Sequence, residues 1–207
     1  MIFICMIIVL AGCAEDLSEK TNEDLFYDVQ KKLNKMESYS CEVEITSIGN
    51  KEPQEYVIRQ WFEKPNKYKL QIVSPQNLKG KITISDGKKA WIYHPAIRQV
   101  WQMQGFSYSQ EKNMFLGYFL KNCLDSENAT IESKKVEDQL FLIIETEIPG
   151  GHIYYNKERL WISAEDMKPT LLEVFDTKGD VRIKVKYNKF EYNTKFSKGF
   201  FKIDIKK

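Results

Sequence analysis

Two histidines and one pair of glutamates are the residues of this sequence that could support acid–base or metal chemistry. His94 stands before Pro95 at the end of a predicted strand, and His152 follows a Gly-Gly pair. Neither belongs to a His-Glu-x-x-His or similar spacing that binds zinc, and no Gly-x-Ser-x-Gly motif or glycine-rich phosphate loop occurs. Glu145 and Glu147 alternate on one face of a predicted strand, an arrangement typical of solvated carboxylates. We therefore expect a protein that is not an enzyme and carries no cofactor or metal.

Composition limits the classes of partner. The 207 residues include 31 basic and 29 acidic side chains, for a net charge of +2. Nucleic-acid-binding domains have a clustered basic surplus, so this balance argues against nucleic acid as a partner. The apolar fraction of 43% is enough for the core of one domain, which we place at residues 22–207.

The N-terminus has the pattern of an exported lipoprotein. Residues 1–10 are apolar or Cys, and Leu10-Ala11-Gly12-Cys13 follows, so residues 1–12 are predicted to be a signal peptide. Leu-Ala-Gly-Cys resembles the bacterial lipobox, in which the Cys is lipidated. Cys13 would then anchor the protein on the outer side of a membrane, with residues 13–21 as a tether. No Lys or Arg precedes the apolar run, which departs from the usual signal. A buried strand and a short membrane segment are the alternatives, although ten residues are too few to span a bilayer.

Two cysteines remain in the predicted mature chain. Cys41 and Cys123 could form a disulfide in an extracytoplasmic compartment, or both could be buried free thiols. Their positions in the sequence do not decide between these alternatives.

Hydrophobic periodicity predicts a mainly β protein with two helices. Apolar residues at three- and four-residue spacing indicate a helix over 22–39, capped by Asn22, and a second helix over 110–124 that is apolar nearly all round. Asp86-Gly87 predicts a type I′ hairpin turn, and Pro149-Gly150-Gly151 a further turn. The order is helix, about six strands, helix, about five strands, with a last edge strand expected in the tail 190–205. Such an arrangement predicts an open, curved antiparallel sheet wrapped around its helices.

Large aromatic residues and sheet edges are the candidate binding features. The aromatic side chains either line a pocket for an acyl chain or fill the core of the curved sheet. The edges of an open sheet can pair with a partner strand, or exchange an element between two copies to form a homodimer. The candidate lining residues are Trp61, Trp91, Tyr93, Trp101, Phe115, Phe119 and Trp161.

Three segments together resemble the family of LolA, the outer-membrane lipoprotein carriers. They are Trp61-Phe62-Glu63-Lys64-Pro65-Asn66-Lys67-Tyr68, the run Ser85-Asp86-Gly87-Lys88-Lys89-Ala90-Trp91-Ile92-Tyr93-His94-Pro95, and the strand–Pro–strand ending from Leu160 to Asp180. The resemblance implies a half-barrel of about eleven antiparallel strands with helices over the concave face, where carriers hold acyl chains. Lys64 stands where the carriers tend to have an Arg that holds the lid. A lysine cannot reproduce the guanidinium fork, and a lipid anchor does not suit a soluble shuttle.

Membrane-anchored relatives of spore-forming bacteria fit the sequence better. The GerS-like germination lipoproteins are similar in composition and are associated with a peptidoglycan amidase, an N-acetylmuramoyl-L-alanine amidase. The resemblance implies an anchored, non-enzymatic protein of the spore envelope that binds and supports such an amidase in cortex modification and germination. A lipid or lipoprotein acyl-chain binder is the alternative, and an envelope-stress sensor is a second one.

Overall fold

A computed structural model describes residues 21–103, 114–126 and 128–203. The predicted signal peptide, Cys13 and the predicted tether up to residue 20 lie outside the described residues. So do residues 110–113 of the second predicted helix and the last residues of the tail. No helix in the described part of the chain is long and apolar enough to cross a membrane.

Helix α1 (Asn22–Asn34) opens the described chain and packs one face on the sheet. Leu25, Val29 and Leu33 recur every four residues and are buried. The cap is Thr21 and not the predicted Asn22, because Thr21 and Asp24 form a reciprocal capping box. The helix also ends earlier than predicted, at Asn34, and the chain then turns directly into the first strand.

Eleven strands form one antiparallel sheet, which confirms the predicted fold class. Its spatial order is β6-β5-β4-β3-β2-β1-β11-β10-β9-β8-β7, so the first and last strands pair at the centre and β6 and β7 are the edges. In the sequence, helix α2 (Leu116–Asp125) lies between β6 and β7. The strands are β1 (Ser38–Ser47), β2 (Gln54–Glu63), β3 (Lys67–Ser74), β4 (Ile82–Asp86), β5 (Ala90–His94), β6 (Gln99–Met103), β7 (Thr130–Val136), β8 (Gln139–His152), β9 (Tyr155–Ser163), β10 (Pro169–Phe175) and β11 (Val181–Tyr192).

The main core lies between the concave face of the sheet and the two helices. Alternate residues of each strand point inward, so Val43 faces Ile58 on one neighbouring strand and Tyr187 on the other. Val43, Leu160 and Val185 are completely buried there. The sheet is open, and side chains of α1 and α2 pack into its concave face.

Two turns differ from the sequence-based prediction. The loop after β4 has three residues, and Gly87 alone of residues 86–89 has positive φ, whereas a type I′ turn needs two such residues. The Asp86 carboxylate accepts hydrogen bonds from the backbone N–H groups of Lys88 and Lys89 and stabilises the longer loop. The predicted turn at Pro149-Gly150-Gly151 is also wrong, since β8 continues to His152 before the chain reverses.

The predicted last edge strand is wrong for a topological reason. Phe190 to Tyr192 complete β11, which is the central strand between β1 and β10. Residues 193–203 form turns instead and fold back over the convex face of the sheet. There the Phe200 ring meets Trp61 edge-on at 5.7 Å between centroids, and Lys69 Nζ lies 4.6 Å from the Phe200 centroid.

Candidate functional site

The candidate site is a cleft between the two helices and the concave face of the sheet. It has a volume of about 340 Å³ and is bounded by α1, α2 and the turn that joins β2 to β3. The size falls at the lower end of the range of about 300–1,000 Å³ typical of small-molecule sites. Apolar side chains from both helices and from β8 form most of its wall, among them Phe26, Val29, Leu33, Leu120 and Ile144.

Lys64 lies at the rim of this cleft and connects the sheet to α1. Its Nζ donates a hydrogen bond to the carbonyl oxygen of Asn34 at 3.5 Å and lies 4.0 Å from Glu37. A cation near the last carbonyls of a helix is favourable, because it complements the helix dipole. Lys64, which stands where the carriers tend to have an Arg, therefore lies where the β2–β3 turn meets α1.

Helix α2 lies directly against the sheet because of one glycine. A Cβ atom at Gly117 would lie 2.3 Å from Cζ of Phe62, far inside van der Waals contact. The Phe62 ring is 2% exposed and also lies in the wall of the cleft. Only glycine lets the helix backbone approach this ring so closely.

A partly buried hydrogen bond holds the other end of α2. Asn122 Nδ2 donates to Glu158 Oε1 at 2.8 Å, and Glu158 is completely buried on the concave side of β9. Burial, together with the Glu158 charge, raises the pKa of the Cys123 thiol. Burial also raises the pKa of the Tyr187 hydroxyl. The nearby Cys41 and Glu158 raise this pKa further. Sequence reasoning missed Glu158, although it is in phase with the inward-facing Leu160 along the strand.

The chain just before α2 is fixed by two further polar side chains. Gln60, completely buried on β2, donates from Nε2 to the carbonyl oxygen of Met114 at 3.3 Å, and the Tyr187 hydroxyl donates to the same oxygen at 3.4 Å. Two donors on one carbonyl position Phe115, the next residue, in the concavity. The helix is thus attached at both ends by partly buried polar contacts.

Two of the seven candidate aromatic residues lie in the core beneath α2. Phe115 and Phe119 are both completely buried, and the Phe115 ring lies 4.9 Å from that of Tyr68. The Phe115 ring also lies 6.4 Å from that of Phe62, so it packs against β2 and β3. Trp101 is in register with the concave residue Ile92, but on edge strand β6 it is 44% exposed.

The other four candidates face the convex side and do not line the cleft. Trp61 alternates with the inward-facing Phe62 and packs on Phe200. Trp161 donates from Nε1 to Glu173 Oε2 at 3.2 Å on the outer surface. Trp91 and Tyr93 are in register with convex residues of β4 and are half-buried. The structure thus brings Phe115 and Phe119 together and separates them from these four.

The two cysteines are free thiols. Cys41 is buried, and its pKa is raised well above the ordinary value by burial; Cys123 is half-buried in the wall of the cleft. A thiol in an apolar environment is a poor nucleophile, because the reactive form is the thiolate. In residues 21–103, 114–126 and 128–203, no three His, Cys, Asp or Glu side chains are grouped so that they could hold a metal ion.

The fold is an open antiparallel half-barrel whose concave face carries two helices, the architecture that the sequence resemblance to LolA-like proteins implied. The chain belongs to the Sporulation protein YdcC-like family, whose model matches residues 1–201. It is 22% identical over 203 residues to Sporulation protein YdcC of Bacillus subtilis (strain 168), with 94% of this chain and 56% of that protein covered. The chain therefore spans about half the length of that relative.

Two other relatives connect the chain to the resemblances found in its sequence. It is 36% identical to a chain of the complex between the CwlD amidase and the GerS lipoprotein of Clostridioides difficile, covering 84% of this chain and 98% of that one, with a TM-score of 0.53. A 79-residue stretch, 37% of either chain, is 33% identical to the outer-membrane lipoprotein carrier protein of Pectobacterium carotovorum subsp. carotovorum (strain PC1). The predicted likeness to LolA-like and GerS-like proteins is confirmed.

Proposed function

We propose that this chain is a non-enzymatic lipoprotein that binds and supports a peptidoglycan amidase in spore cortex modification and germination. The observation that carries the proposal is the 36% identity, over almost the whole of the matched chain, to a component of the complex between the CwlD amidase and the GerS lipoprotein. Membership of a sporulation-protein family supports the same process. The hydrogen bonds that attach α2 at both ends support a scaffold, since they favour one conformation of the domain.

Lipidation of Cys13 is part of this proposal. Two or more acyl chains give stable anchoring, because each buried CH₂ adds about 0.8 kcal/mol to membrane affinity. The anchored protein would hold the amidase at the outer face of a membrane. Export as a lipoprotein is supported by Leu10-Ala11-Gly12-Cys13. Radiolabelled palmitate should enter the wild-type protein and not the Cys13→Ala variant.

The amidase proposal is tested with the two full-length proteins of the same cell. The detergent-solubilised lipoprotein and the amidase are mixed at micromolar concentration and separated by size exclusion with light scattering. One peak with the summed mass is the expected result, and two separate peaks would refute a direct partnership. The lipoprotein run alone reports whether it forms the homodimer by strand or element exchange that the open edges β6 and β7 permit.

A second candidate function is acyl-chain binding, favoured by the cleft beneath the helices. Its apolar wall and its volume of about 340 Å³ suit a small apolar ligand. Native mass spectrometry of protein purified from cells should then show an added mass that organic extraction removes. A chain mass equal to that of the lipidated protein alone would count against this function.

A further inference from the structure

Four segments of the chain meet at one end of the sheet, where α1 ends. Glu37, which follows α1, accepts a hydrogen bond at its carbonyl oxygen from the Lys64 N–H at 2.9 Å, and its own N–H donates to Asn193 Oδ1 at 2.8 Å. The turn between β4 and β5 lies beside the turn between β2 and β3, because Ser85 Oγ donates to the carbonyl oxygen of Asn66. We name this surface the basic end. It consists of residues 31–37, 63–67, 86–89 and 193–203.

The basic end carries a large excess of positive charge. Its four segments contain ten lysines and three acidic residues, whereas the whole chain has a net charge of only +2. The rest of the chain is therefore net negative, and the balanced total conceals a basic surface. Glu37 and Glu63 are paired with Lys64 and Lys67, and the Asp86 carboxylate accepts hydrogen bonds within its own turn. The other lysines of the basic end are all exposed.

The C-terminal segment is held firmly against the sheet by its phenylalanines. The Phe200 ring packs on Trp61 and stacks on the Phe196 ring at 4.9 Å between centroids, and Phe201 is buried. Three lysines of the basic end belong to this segment. Their backbone positions are therefore fixed by the packing of apolar residues beside them.

The type of cation indicates the kind of partner. The four described segments of the basic end contain lysine and no arginine. Protein interfaces are enriched in arginine and depleted in lysine. A lysine ammonium is a compact, strongly hydrated charge on a flexible stem, so several of them attract an extended anionic surface without fixing any single group. This composition favours lipid headgroups over a docked protein.

The predicted tether is long enough to let the basic end reach a membrane. At roughly 3.5 Å per residue, the chain from Cys13 to Thr21 can extend to about 28 Å. The 13 residues of α1 separate Thr21 from the basic end by only about 20 Å, at 1.5 Å per residue. A membrane that holds a lipidated Cys13 can therefore also contact the basic end.

We propose that the basic end binds the anionic headgroups of the membrane that carries the lipid anchor, and so holds the domain in one orientation on that surface. This inference rests on the lipidation of Cys13 within the proposed function. Each lysine close to an anionic membrane surface contributes about fivefold to the affinity, and the attraction extends over about one screening length. The opposite end of the sheet then faces away from the bilayer.

Acetylation of lysines in the full-length lipoprotein tests the proposal. The lipidated protein is inserted into nanodiscs of phosphatidylcholine, with or without phosphatidylglycerol at about 30%. Peptide mass spectrometry then gives the acetylation rate of each lysine. We expect Lys88, Lys195 and Lys198 to react about tenfold more slowly on the anionic discs, because headgroups cover and hold these ammonium groups. Lys51 and Lys178, in turns at the opposite end of the sheet, should react equally on both discs.

Salt and charge-neutral variants identify the cause of the protection. At 1 M salt, where the screening length is about 3 Å, the difference between the discs should disappear. The double variant Lys88→Gln/Lys89→Gln should reduce the protection of Lys195 to about twofold or less, since it removes two fivefold contributions. Lys51→Gln/Lys178→Gln removes the same charge at the other end and should leave the protection unchanged. Thermal unfolding checks that both double variants are folded.

The outcomes separate this inference from the function beneath it. Equal acetylation rates on both discs would overturn the inference, while co-elution of the protein with the discs would still support the anchor. Absence of the protein from the disc fraction would refute the anchor and the inference together. A short DNA duplex that protects the same lysines equally well on phosphatidylcholine discs would overturn the membrane as the partner. Protection by the added amidase on those discs would overturn it too, and would assign the basic end to the enzyme.

Discussion

Gly117 of α2 lies so close to the ring of Phe62 on β2 that a Cβ atom at position 117 would be only 2.3 Å from Cζ. The ring has little freedom to move away. It is 2% exposed and stacks on Tyr39, with 5.3 Å between the ring centroids. This contact sets how deeply the helix lies in the concavity.

Gly117→Ala is therefore expected to destabilise the fold. Overpacking of a filled core costs about 1–3 kcal/mol, which outweighs the roughly 0.5–1 kcal/mol that alanine gains over glycine in a helix. Urea denaturation should show a lower midpoint with an unchanged slope. Gly49→Ala is the control, because a Cβ there has no atom within 4 Å. A midpoint for Gly117→Ala equal to or above that of the wild type would contradict the close packing.

The Asn122–Glu158 hydrogen bond should couple α2 energetically to β9. Asn122→Leu removes a donor from a buried carboxylate, and we expect a loss of about 1–3 kcal/mol. Glu158→Leu removes the acceptor. The double variant should be more stable than the sum of the two losses predicts, by about 0.5–3 kcal/mol, as is typical of residues in direct contact. Additive losses in a double-mutant cycle would show that the pair is not coupled.

Asp176 should make the fold sensitive to acid. Burial tends to raise the pKa of this carboxyl, but hydrogen bonds from the backbone N–H groups of Asp180 and Lys178 and the Arg182 guanidinium lower it overall. A group whose pKa is depressed in the folded state stabilises above its unfolded pKa, about 3.9, and loses that contribution as pH falls through the folded value.

The difference in stability between wild type and Asp176→Asn should then be largest near pH 7 and shrink toward pH 2. Denaturant titrations at several pH values measure it. Asp166→Asn, at an exposed turn carboxylate paired with Lys168, is a suitable comparison. A difference for Asp176→Asn that does not change with pH would argue against a charged, hydrogen-bonded Asp176.

The two free thiols should differ in reactivity. Cys41 is buried and its thiol pKa is raised by burial, whereas Cys123 is half-buried. With a thiol reagent at pH 8, the native protein should react at Cys123 first, and Cys41 should react roughly 100-fold more slowly than in the unfolded chain, because it needs an opening of the sheet. Peptide mass mapping distinguishes the sites. A Cys41–Cys123 disulfide in protein isolated under oxidising conditions would refute the free-thiol assignment.

The order of helices and strands could be predicted because each element carries its own signal. Strands such as β11 alternate Val181, Ile183 and Val185 with charged residues, and this period of two is unambiguous. The end of α1 could not be read in the same way. Met36 continues the helical spacing and is completely buried, yet it is buried in the connection that leads into β1. Because Met36 is buried like the helical residues before it, the burial pattern does not reveal that the helix ends at Asn34.

The faces of the aromatic residues were harder to predict because adjacent residues compete for the same side. Trp61 and Phe62 are both large and apolar, and a shift of one residue exchanges their faces. In the structure, the Phe200 ring packs on Trp61 on the convex side, and this contact joins residues that are far apart in the sequence. The cleft likewise depends on Gly117 and Lys64, whose positions relative to each other arise only when α1, α2 and the β2–β3 turn meet.

The pairing of β1 with β11 divides the sheet into two halves that are each built from sequence neighbours. β1 to β6 form one half and β7 to β11 the other, and the seam between them joins residues far apart in the sequence, such as Glu44 and Asn188, which are 144 positions apart. Contacts of such separation close late and slowly. Until the last strand arrives, each half presents a complementary edge that a second copy can complete equally well. The seam would thus favour exchange of whole halves between chains when many fold at high local concentration.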